Sequence, residues 1–346
     1  MNVNKDTYRS PVPPRPRAAG GRLGVVLTVG IALLAALALA SLALGARALS
    51  LDDVLAALHK EPGIATSTVW ERRLPRTLVA VCAGSALALA GAVLQIVTRN
   101  PLADTGIFGI NVGASLAAAI GMGWLGLQSP LMFSLAAIVG AAVTMAVVTL
   151  LGRSSLGDVD PLRLILAGVA IGAVCEGISQ ALILLDPRTF ARIRAWVTGS
   201  VDVASWPPVV ITACGLAIGV VLLAIFARNL PALALGNDAA ASLGVNVQLT
   251  RLGLLAAVTI LAATATAAAG AIVFVGLIIP HVVRLCGIYE ERSQLIACAV
   301  VGPLFLLGAD IVGRFLTTSE LPAGVAVSLV GAPVLILLSH RAGRRL

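Results

Sequence analysis

The stretch QIVTRNPLADTG, residues 95–106, separates two apolar runs and decides how this chain folds. It places a charge, an amide and a proline where a chain in lipid would carry leucine. Pro101 cannot continue a helix, and Asn100 can satisfy backbone amides that the interruption leaves unpaired. In lipid such a break is tolerated where it faces protein or a water-filled cavity. The stretch therefore predicts either a plain loop or the wall of a transport pathway, and the residues alone leave both open.

The composition indicates a protein embedded in lipid. The 346 residues are 59% hydrophobic and 12% charged, with a mean hydropathy of +1.01, whereas soluble proteins carry about 25% charged residues. The sequence contains no Gly-rich phosphate loop, nucleophile elbow or paired acids, and its five cysteines form no CxxC pair. Its three histidines lack a carboxylate partner at metal-ligand spacing. We expect a protein that is not an enzyme and holds neither a cofactor nor a metal.

Ten apolar windows are candidate transmembrane helices, which predicts an all-α polytopic membrane protein. Residues 252–286 are almost continuously apolar, too long for one helix and short for two. A turn near Gly270–Gly276 would divide them, giving ten spans and leaving both termini in the cytoplasm. The windows are 24–46, 77–98, 106–126, 130–151, 162–185, 205–227, 251–272, 276–287, 294–312 and 321–339.

The distribution of basic residues favours ten spans over nine. Basic residues concentrate on the cytoplasmic side of membrane proteins, and ten spans place most of the 24 Lys and Arg residues there. Merging the seventh and eighth windows would place Arg341, Arg344 and Arg345 outside. The net charge of +8 then follows topology and anionic headgroups, and we expect no nucleic-acid partner. Residues 1–23 are predicted to be a disordered cytoplasmic tail, and residues 24–346 a single transmembrane domain.

Small residues fill the predicted spans, as in GSALALAGA and TATAAAGA. Such residues let helices pack closely in lipid. Two stretches, ALAGAVLQIVTRNP and AAGAIVFVGLIIPHVVR, each run from small residues into a proline followed by polar groups. We expect them to enter the membrane in opposite directions, as inverted repeats do, although the symmetry in the sequence is weak.

Three long motifs follow one another along the chain. They are RLPRTLVAVCAGSALALAGAVLQIVTRNPLADTGIFGINVGAS, GAIVFVGLIIPHVVRL and ADIVGRFLTTSELPAGVAVSLVGAP. Together they resemble the signature of the FecCD-type permeases of ABC importers for iron chelates and vitamin B12, and the likeness runs from about Leu49 to the C-terminus. Within that family, the stretches around VTRNPLAD and LAGVAIGAVCEGI look closest to permeases for catecholate siderophores.

The resemblance implies a ten-helix permease subunit in the cell membrane of a bacterium, importing a ferric siderophore. A second permease would pair with it around a central pathway, as a heterodimer in preference to a homodimer. Two cytoplasmic ATPases would bind and hydrolyse ATP, and an extracytoplasmic substrate-binding protein would deliver the substrate. Vitamin B12 and haem are alternative substrates within the same family.

The resemblance also assigns a cytoplasmic gate. Asn100 and Leu102 would form it in the opening stretch, and Pro161 and Leu162 would form its second strand in DVDPLRL. Many relatives have proline where this chain has Thr105, which predicts a slightly less rigid turn here.

The longest predicted cytoplasmic loop is the coupling segment, residues 228–251, RNLPALALGNDAAASLGVNVQLTR. Asn237 or Asp238 can cap a short helix, and Gly244 can end it in the left-handed conformation. The apolar residues of this segment indicate either a docking surface or a helix lying on headgroups. The resemblance favours docking of an ATPase. The residues it assigns to that contact are Leu235, Gly236, Ala240, Leu243, Gly244 and Val245.

Three arginines, Arg73, Arg76 and Arg314, lie at the predicted outer ends of spans. Pairing with nearby acids such as Asp310 and Glu320 would account for them. The resemblance instead matches them to positions that receive acidic groups of the binding protein, and a guanidinium group can hold a carboxylate in bidentate geometry.

Two further residues are candidates for the pathway. Glu176 lies deep in the fifth window, where an acid costs at least ~2.5 kcal/mol unless it faces water or a partner. It either lines the pathway or is a neutral packing residue. Arg194 belongs to an arginine-rich stretch between the fifth and sixth windows that could attract an anionic ferric chelate.

Two other classes of protein compete with the importer. An ion-driven secondary transporter would need several intramembrane carboxylates, and Glu176 is the one that the sequence offers. A structural or receptor subunit would not need the capped cytoplasmic helix pair.

Overall fold

The chain folds into helices, as its composition predicts. The computed structural model describes residues 19–45, 48–127, 129–153, 161–185, 196–316 and 320–343. A π-helical turn, Val69–Arg73, and a 3₁₀ turn, Ala227–Asn229, each join two consecutive helices. The helices are α1 (Ala19–Ala43), α2 (Leu51–Leu58), α3 (Ile64–Thr68), α4 (Leu74–Thr98), α5 (Ile110–Gly123), α6 (Pro130–Leu151), α7 (Pro161–Leu185), α8 (Pro207–Phe226), α9 (Leu230–Leu235), α10 (Asn237–Ser242), α11 (Val247–Ala269), α12 (Val275–Leu285), α13 (Glu291–Leu316) and α14 (Ala323–Gly343).

Each of the ten predicted windows contains a helix, but these helices differ in length. In the described part of the chain, 7 helices are long and apolar enough to cross a membrane. Helices α5 and α12 have 14 and 11 residues, so they rise only ~21 Å and ~16 Å against roughly 30 Å of hydrocarbon. A non-helical segment precedes each of them, residues 99–109 and 270–274. The window 106–126 is helical only over residues 110–123, which the sequence did not reveal, whereas the short window 276–287 is helical over nearly its whole length.

Helix α4 lies at the centre of the bundle and packs against α8, α11, α12 and α13. Two glycines allow its closest approaches. Gly84 lies against the backbone of Gly302 on α13, and Gly91 lies against Gly276 on α12. A methyl group added to Gly91 would lie 2.1 Å from the carbonyl oxygen of Gly276, so any larger residue forces the two backbones apart. The predicted role of small residues in close helix packing is confirmed here.

The turn predicted near Gly270–Gly276 is present. Helix α11 ends at Ala269, and α12 begins at Val275. Phe274, directly before α12, has a φ of +70°, a left-handed conformation that bulky residues rarely adopt. Backbone in this conformation persists where surrounding contacts hold it, and the carboxylate of Asp104 supplies one by accepting a hydrogen bond from the Phe274 amide.

Helices α4 and α12 run in the same direction, so the predicted opposite entry of the two repeat-like stretches is wrong. Arg73, directly before α4, donates a hydrogen bond to the carbonyl of Ala43 at the end of α1. Gly287, just after α12, lies beside the Arg22 side chain near the start of α1. Both helices therefore run from the C-terminal end of α1 toward its N-terminal end.

The two ends of the bundle carry different groups. The arginine end carries Arg73, Arg76 and Arg314, and the coupling end carries the coupling segment, residues 228–251. Helix α1 begins at Ala19, so helical structure reaches into the predicted tail, of which residues 1–18 lie outside the described part of the chain.

Candidate functional site

The opening stretch forms a tight turn at the coupling end of α4. The amide of Asn100 donates to the carbonyl of Gln95, and the amide of Arg99 donates to that of Ile96, each at 3.2 Å. This pattern is a Schellman motif, which satisfies the last carbonyls of a helix. The side-chain oxygen of Asn100 accepts a hydrogen bond from the amide of Leu102 at 2.9 Å. The predicted capping of a backbone amide by Asn100 is confirmed.

The other end of the stretch is attached to α12. Asp104 is buried, and its Oδ2 accepts a hydrogen bond from the amide of Phe274 at 3.3 Å. Gln95 donates through Nε2 to the carbonyls of Gly276 at 3.2 Å and Leu277 at 3.3 Å. Two side chains of the opening stretch therefore hold the non-helical residues 270–274 and the first turn of α12. Sequence reasoning missed both, although a carboxylate in an apolar setting signals a buried partner.

A cavity of about 590 Å³ adjoins these segments. Helices α5, α7 and α14 contribute to its wall together with the non-helical residues before α12. The exposed carboxylate of Glu176 accepts a hydrogen bond from Gln180 at 2.8 Å, so Glu176 lines the cavity instead of packing in a core. The lining residues are Gly106, Asn111, Val112, Ser115, Glu176, Val197, Thr198, Ala271, Val273, Gly324, Val325 and Ser328.

Asn111 gives this cavity wall a buried polar group. Its Oδ1 accepts a hydrogen bond from the hydroxyl of Thr266 on α11 at 3.0 Å. Its Nδ2 has no hydrogen-bond partner among the described residues. A buried amide donor without a partner is costly, and here it belongs to a residue of the cavity wall. The sequence offered no signal for Asn111 beyond an amide at the start of a small-residue helix.

The predicted gate residues lie at the starts and ends of helices. Asn100 and Leu102 are half-buried in the turn after α4, while Pro161 is the first residue of α7 and Leu162 is exposed beside it. Proline suits the first helical position because its missing N–H would be unpaired there anyway. Their role as a gate stays a prediction. Arg194, the other pathway candidate, lies outside the described residues.

The coupling segment contains the predicted helix pair, α9 and α10. Leu235 and Leu243 are 71% and 65% exposed, whereas Ala240 is fully buried. Gly244 follows α10 with a φ of +78°, the left-handed conformation that was predicted. The predicted cap is wrong, because the residue before α10 is Gly236 and no side chain caps the helix. Val245 is half-buried.

Asn237 instead joins three parts of the structure. Its side-chain oxygen accepts hydrogen bonds from Nη2 of Arg99 and from Nη2 of Arg251, each at 3.0 Å. Arg99 also donates through Nε to the carbonyl of Leu233 at 3.3 Å. The turn that follows α4 is therefore bonded directly to the coupling segment and, through Asn237, to the start of α11.

At the arginine end, two guanidinium groups satisfy the last carbonyls of α1. Nη1 of Arg73 donates to the carbonyls of Leu42 at 2.6 Å and Ala43 at 2.8 Å. Nη1 of Arg314 donates to those of Ser41 at 2.9 Å and Leu44 at 3.0 Å. Because the final carbonyls of a helix have no partner within it, these buried arginines cap α1.

Arg76 is the centre of an ion-pair cluster at the same end. It contacts the carboxylate of Asp310 at 2.8 Å, that of Glu320 at 2.8 Å and that of Asp202 at 3.2 Å. Asp310 also pairs with Arg314 and is 1% exposed, whereas Glu320 and Asp202 are 39% and 62% exposed. Pairing with nearby acids is thus present for Arg76 and Arg314, and docking of a binding protein by the three arginines stays a prediction.

Comparison with known proteins identifies the family. The profile of the FecCD transport family matches residues 33–341. The chain belongs to this family. The motif resemblance is therefore confirmed, and the chain is a membrane-embedded permease of an ABC importer. Permeases of this family are transport subunits and not enzymes.

The relatives differ in the substrates for which they are named. The ferric enterobactin transport system permease FepD of Escherichia coli K12 is 39% identical over 317 residues, covering 91% of this chain and 95% of the relative. The vitamin B12 import permease BtuC of Escherichia coli K12 is 38% identical, covering 80% and 84%. The Fe(3+)-citrate import permease YfmD of Bacillus subtilis 168 is 34% identical, covering 88% and 91%.

A solved structure supports the fold. It is described as an inward-facing conformation of a metal-chelate type ABC transporter. It has a TM-score of 0.81 and 28% sequence identity, and covers 92% of this chain and 99% of that chain.

Proposed function

We propose that this chain is the transmembrane permease subunit of an ATP-driven importer of ferric siderophores, with a catecholate siderophore as substrate. The single observation that carries the substrate class is the 39% identity to the ferric enterobactin permease over 91% of the chain. Vitamin B12 and haem are the alternative substrates, and the 38% identity to a vitamin B12 permease supports vitamin B12 as the stronger of the two.

The proposed topology has ten membrane passages with both termini in the cytoplasm. The arginine end would face outward and the coupling end would face the cytoplasm. Helices α5 and α12, each with its preceding non-helical segment, would complete the two shortest passages. Non-helical backbone is tolerated at membrane depth where protein or a cavity covers it, and Asp104, which accepts a hydrogen bond from Phe274, contributes to this cover for the segment before α12.

The proposed partners fit three surfaces of the chain. Two ATPases, one for each permease, would dock on the exposed leucines Leu235 and Leu243 and supply the energy of ATP hydrolysis. A second permease, in a heterodimer in preference to a homodimer, would close the cavity that contains Glu176. A substrate-binding protein would dock at the arginine end. The mixed polar and apolar wall of the 590 Å³ cavity suits passage of a polar chelate better than permanent contact with lipid.

Uptake in a defined host tests the proposed function. The chain would be expressed with the ATPase, second permease and binding protein encoded beside its gene, in a bacterium lacking its own siderophore and vitamin B12 permeases. We expect uptake of iron supplied as ferric enterobactin, and background uptake of cobalamin, haem and ferric citrate. Uptake of cobalamin or haem, with none of ferric enterobactin, would contradict the proposed substrate.

The same cells separate an ATP-driven importer from an ion-driven transporter. Removing the catalytic carboxylate of the partner ATPase should abolish uptake, while collapsing the proton gradient at constant ATP should leave the initial rate unchanged. The opposite pair of results would favour the ion-driven alternative.

A further inference from the structure

The side chain of Arg99 connects the predicted gate turn to the surface proposed to dock the ATPase. Its Nε donates to the carbonyl of Leu233 on α9 at 3.3 Å, and its Nη2 donates to Oδ1 of Asn237 on α10 at 3.0 Å. The guanidinium group presents donors in a rigid fork, so one side chain holds both short helices. Arg99 is also the residue directly before Asn100.

The backbone conformation of Arg99 does not favour arginine, so the contacts of the side chain must account for an arginine at this position. Arg99 has φ +51° and ψ +32°, in the left-handed region that glycine enters without a steric penalty. Helices commonly end with glycine in this place, and sometimes with asparagine. A residue with a long side chain is tolerated where surrounding contacts hold the conformation. The two hydrogen bonds from the guanidinium group to α9 and α10 are such contacts.

We propose that Arg99 is a positioning residue that transmits movement of the coupling segment to the gate turn. This inference rests on the proposed function, because it requires an ATPase that moves α9 and α10. A displacement of these helices either carries Arg99 with it or breaks both of its hydrogen bonds. Since Arg99 adjoins Asn100 in one tight turn, a displacement that carries the guanidinium group also moves the turn.

Two further contacts direct this movement. Asn237 also accepts a hydrogen bond from Arg251 at 3.0 Å, and Arg251 is buried at the start of α11. At the other end of the turn, Asp104 holds the amide of Phe274, next to Val273 in the cavity wall. The turn is therefore bonded to the coupling segment at one end and to the wall of the cavity at the other.

The substitution Arg99→Gly tests this connection. Glycine keeps the left-handed turn and removes only the side chain. In the complete importer, reconstituted in liposomes with ferric enterobactin as the probe, we expect ATP hydrolysis within about twofold of the wild-type rate. We expect the substrate transported per ATP to fall roughly tenfold or more, since two hydrogen bonds made by a charged group are lost. The control is Arg153→Gly, at a residue that lines a groove together with Leu252 at the start of α11, and it should leave this ratio unchanged.

Substitutions of Asn237 provide a second, independent measurement. Asn237→Leu should also lower the transport ratio, and the double variant should lose less than the sum of the two single losses, because both substitutions remove the hydrogen bond between Arg99 and Asn237. Asn237→Asp keeps an acceptor for both arginines and should therefore leave the substrate transported per ATP at the wild-type value. Co-purification of the ATPase with each variant checks that the complex still assembles.

The outcomes distinguish this inference from the proposed function. If the wild-type complex shows no ATP-driven uptake, the proposed function fails. If the wild type transports and Arg99→Gly lowers transport and ATP hydrolysis in equal proportion, or leaves their ratio as Arg153→Gly does, the connection through Arg99 is refuted. Additive losses in the Arg99→Gly, Asn237→Leu double variant would refute it as well.

Discussion

Asp104 accepts a hydrogen bond from the backbone amide of Phe274 across 170 positions of sequence. The contact joins the two non-helical segments that precede the short helices α5 and α12. Phe274 directly precedes α12, and the amides at the start of a helix have no acceptor within that helix. One carboxylate thereby stabilises both breaks in the bundle.

We predict that Asp104→Leu destabilises the protein, whereas Asp104→Asn is tolerated. Leucine leaves the buried amide of Phe274 without an acceptor, which costs ~1–3 kcal/mol, while asparagine keeps a side-chain oxygen there. The melting temperature of the purified protein in detergent should fall for the leucine variant and stay close to wild type for the asparagine variant. Equal melting temperatures for the two variants would show that the hydrogen bond contributes little.

We predict that Leu243→Arg abolishes stimulation of the ATPase without impairing membrane insertion. Leu243 is largely exposed, so a charge there costs the isolated subunit little but would be desolvated without a partner in an apolar contact. Yield in the membrane, co-purification of the ATPase and substrate-stimulated hydrolysis are the measurements. The matched control is Ala240→Arg, which places the same charge at a buried position and should lower the yield itself. An ATPase that still binds Leu243→Arg as it binds wild type would exclude this surface.

We predict that a cysteine at position 102 is protected from a bulky thiol reagent added from outside in the resting state. A gate at this turn should expose it only when nucleotide or binding-protein docking shifts the conformational equilibrium. The native cysteines must be replaced first, because Cys214 and Cys286 are exposed. A cysteine at position 328, in the cavity wall, is the control and should react from outside in the resting state. Equal labelling of position 102 in every nucleotide state would show that the turn is no gate.

We predict that Arg76→Gln weakens docking of the substrate-binding protein, while Asp202→Asn combined with Glu320→Gln strengthens it. An acidic docking surface must compete with these two exposed carboxylates for Arg76. Each effect should be about two- to fivefold, because the carboxylates that compete for Arg76 are exposed and ion pairs with exposed groups are worth ~0.5–1 kcal/mol, and it should shrink as salt is added.

Arg72→Gln is the control for docking, since Arg72 is exposed near the same end. Affinity of the purified binding protein for liposomes containing the importer, measured at two salt concentrations, is the readout. If Arg76→Gln and Arg72→Gln behave alike at low salt, the cluster around Arg76 serves the stability of the subunit and not docking.

Local patterns determined much of the fold. Runs of apolar residues specify helices in lipid because each backbone amide must find a partner within its own segment. For that reason every predicted window contains a helix, and α6 has the boundaries that the sequence predicted. The turn at Asn100 and Pro101 and the left-handed conformation of Gly244 depend on local backbone preferences. Such preferences can be predicted from the sequence one residue at a time.

The tertiary structure decided which polar residues meet. Asp104 and Phe274, Arg99 and Asn237, and Arg76 and Asp310 are each separated by more than a hundred positions, so no local preference links them. Packing also decided where α12 lies, because the approach of Gly91 to Gly276 places the start of α12 against the C-terminal half of α4. The sequence by itself determined the helices, the turn after α4 and the family. Only the folded chain determined that the turn is bonded at one end to the coupling segment and at the other to the cavity wall, since hydrogen bonds between distant residues form only after the helices have packed.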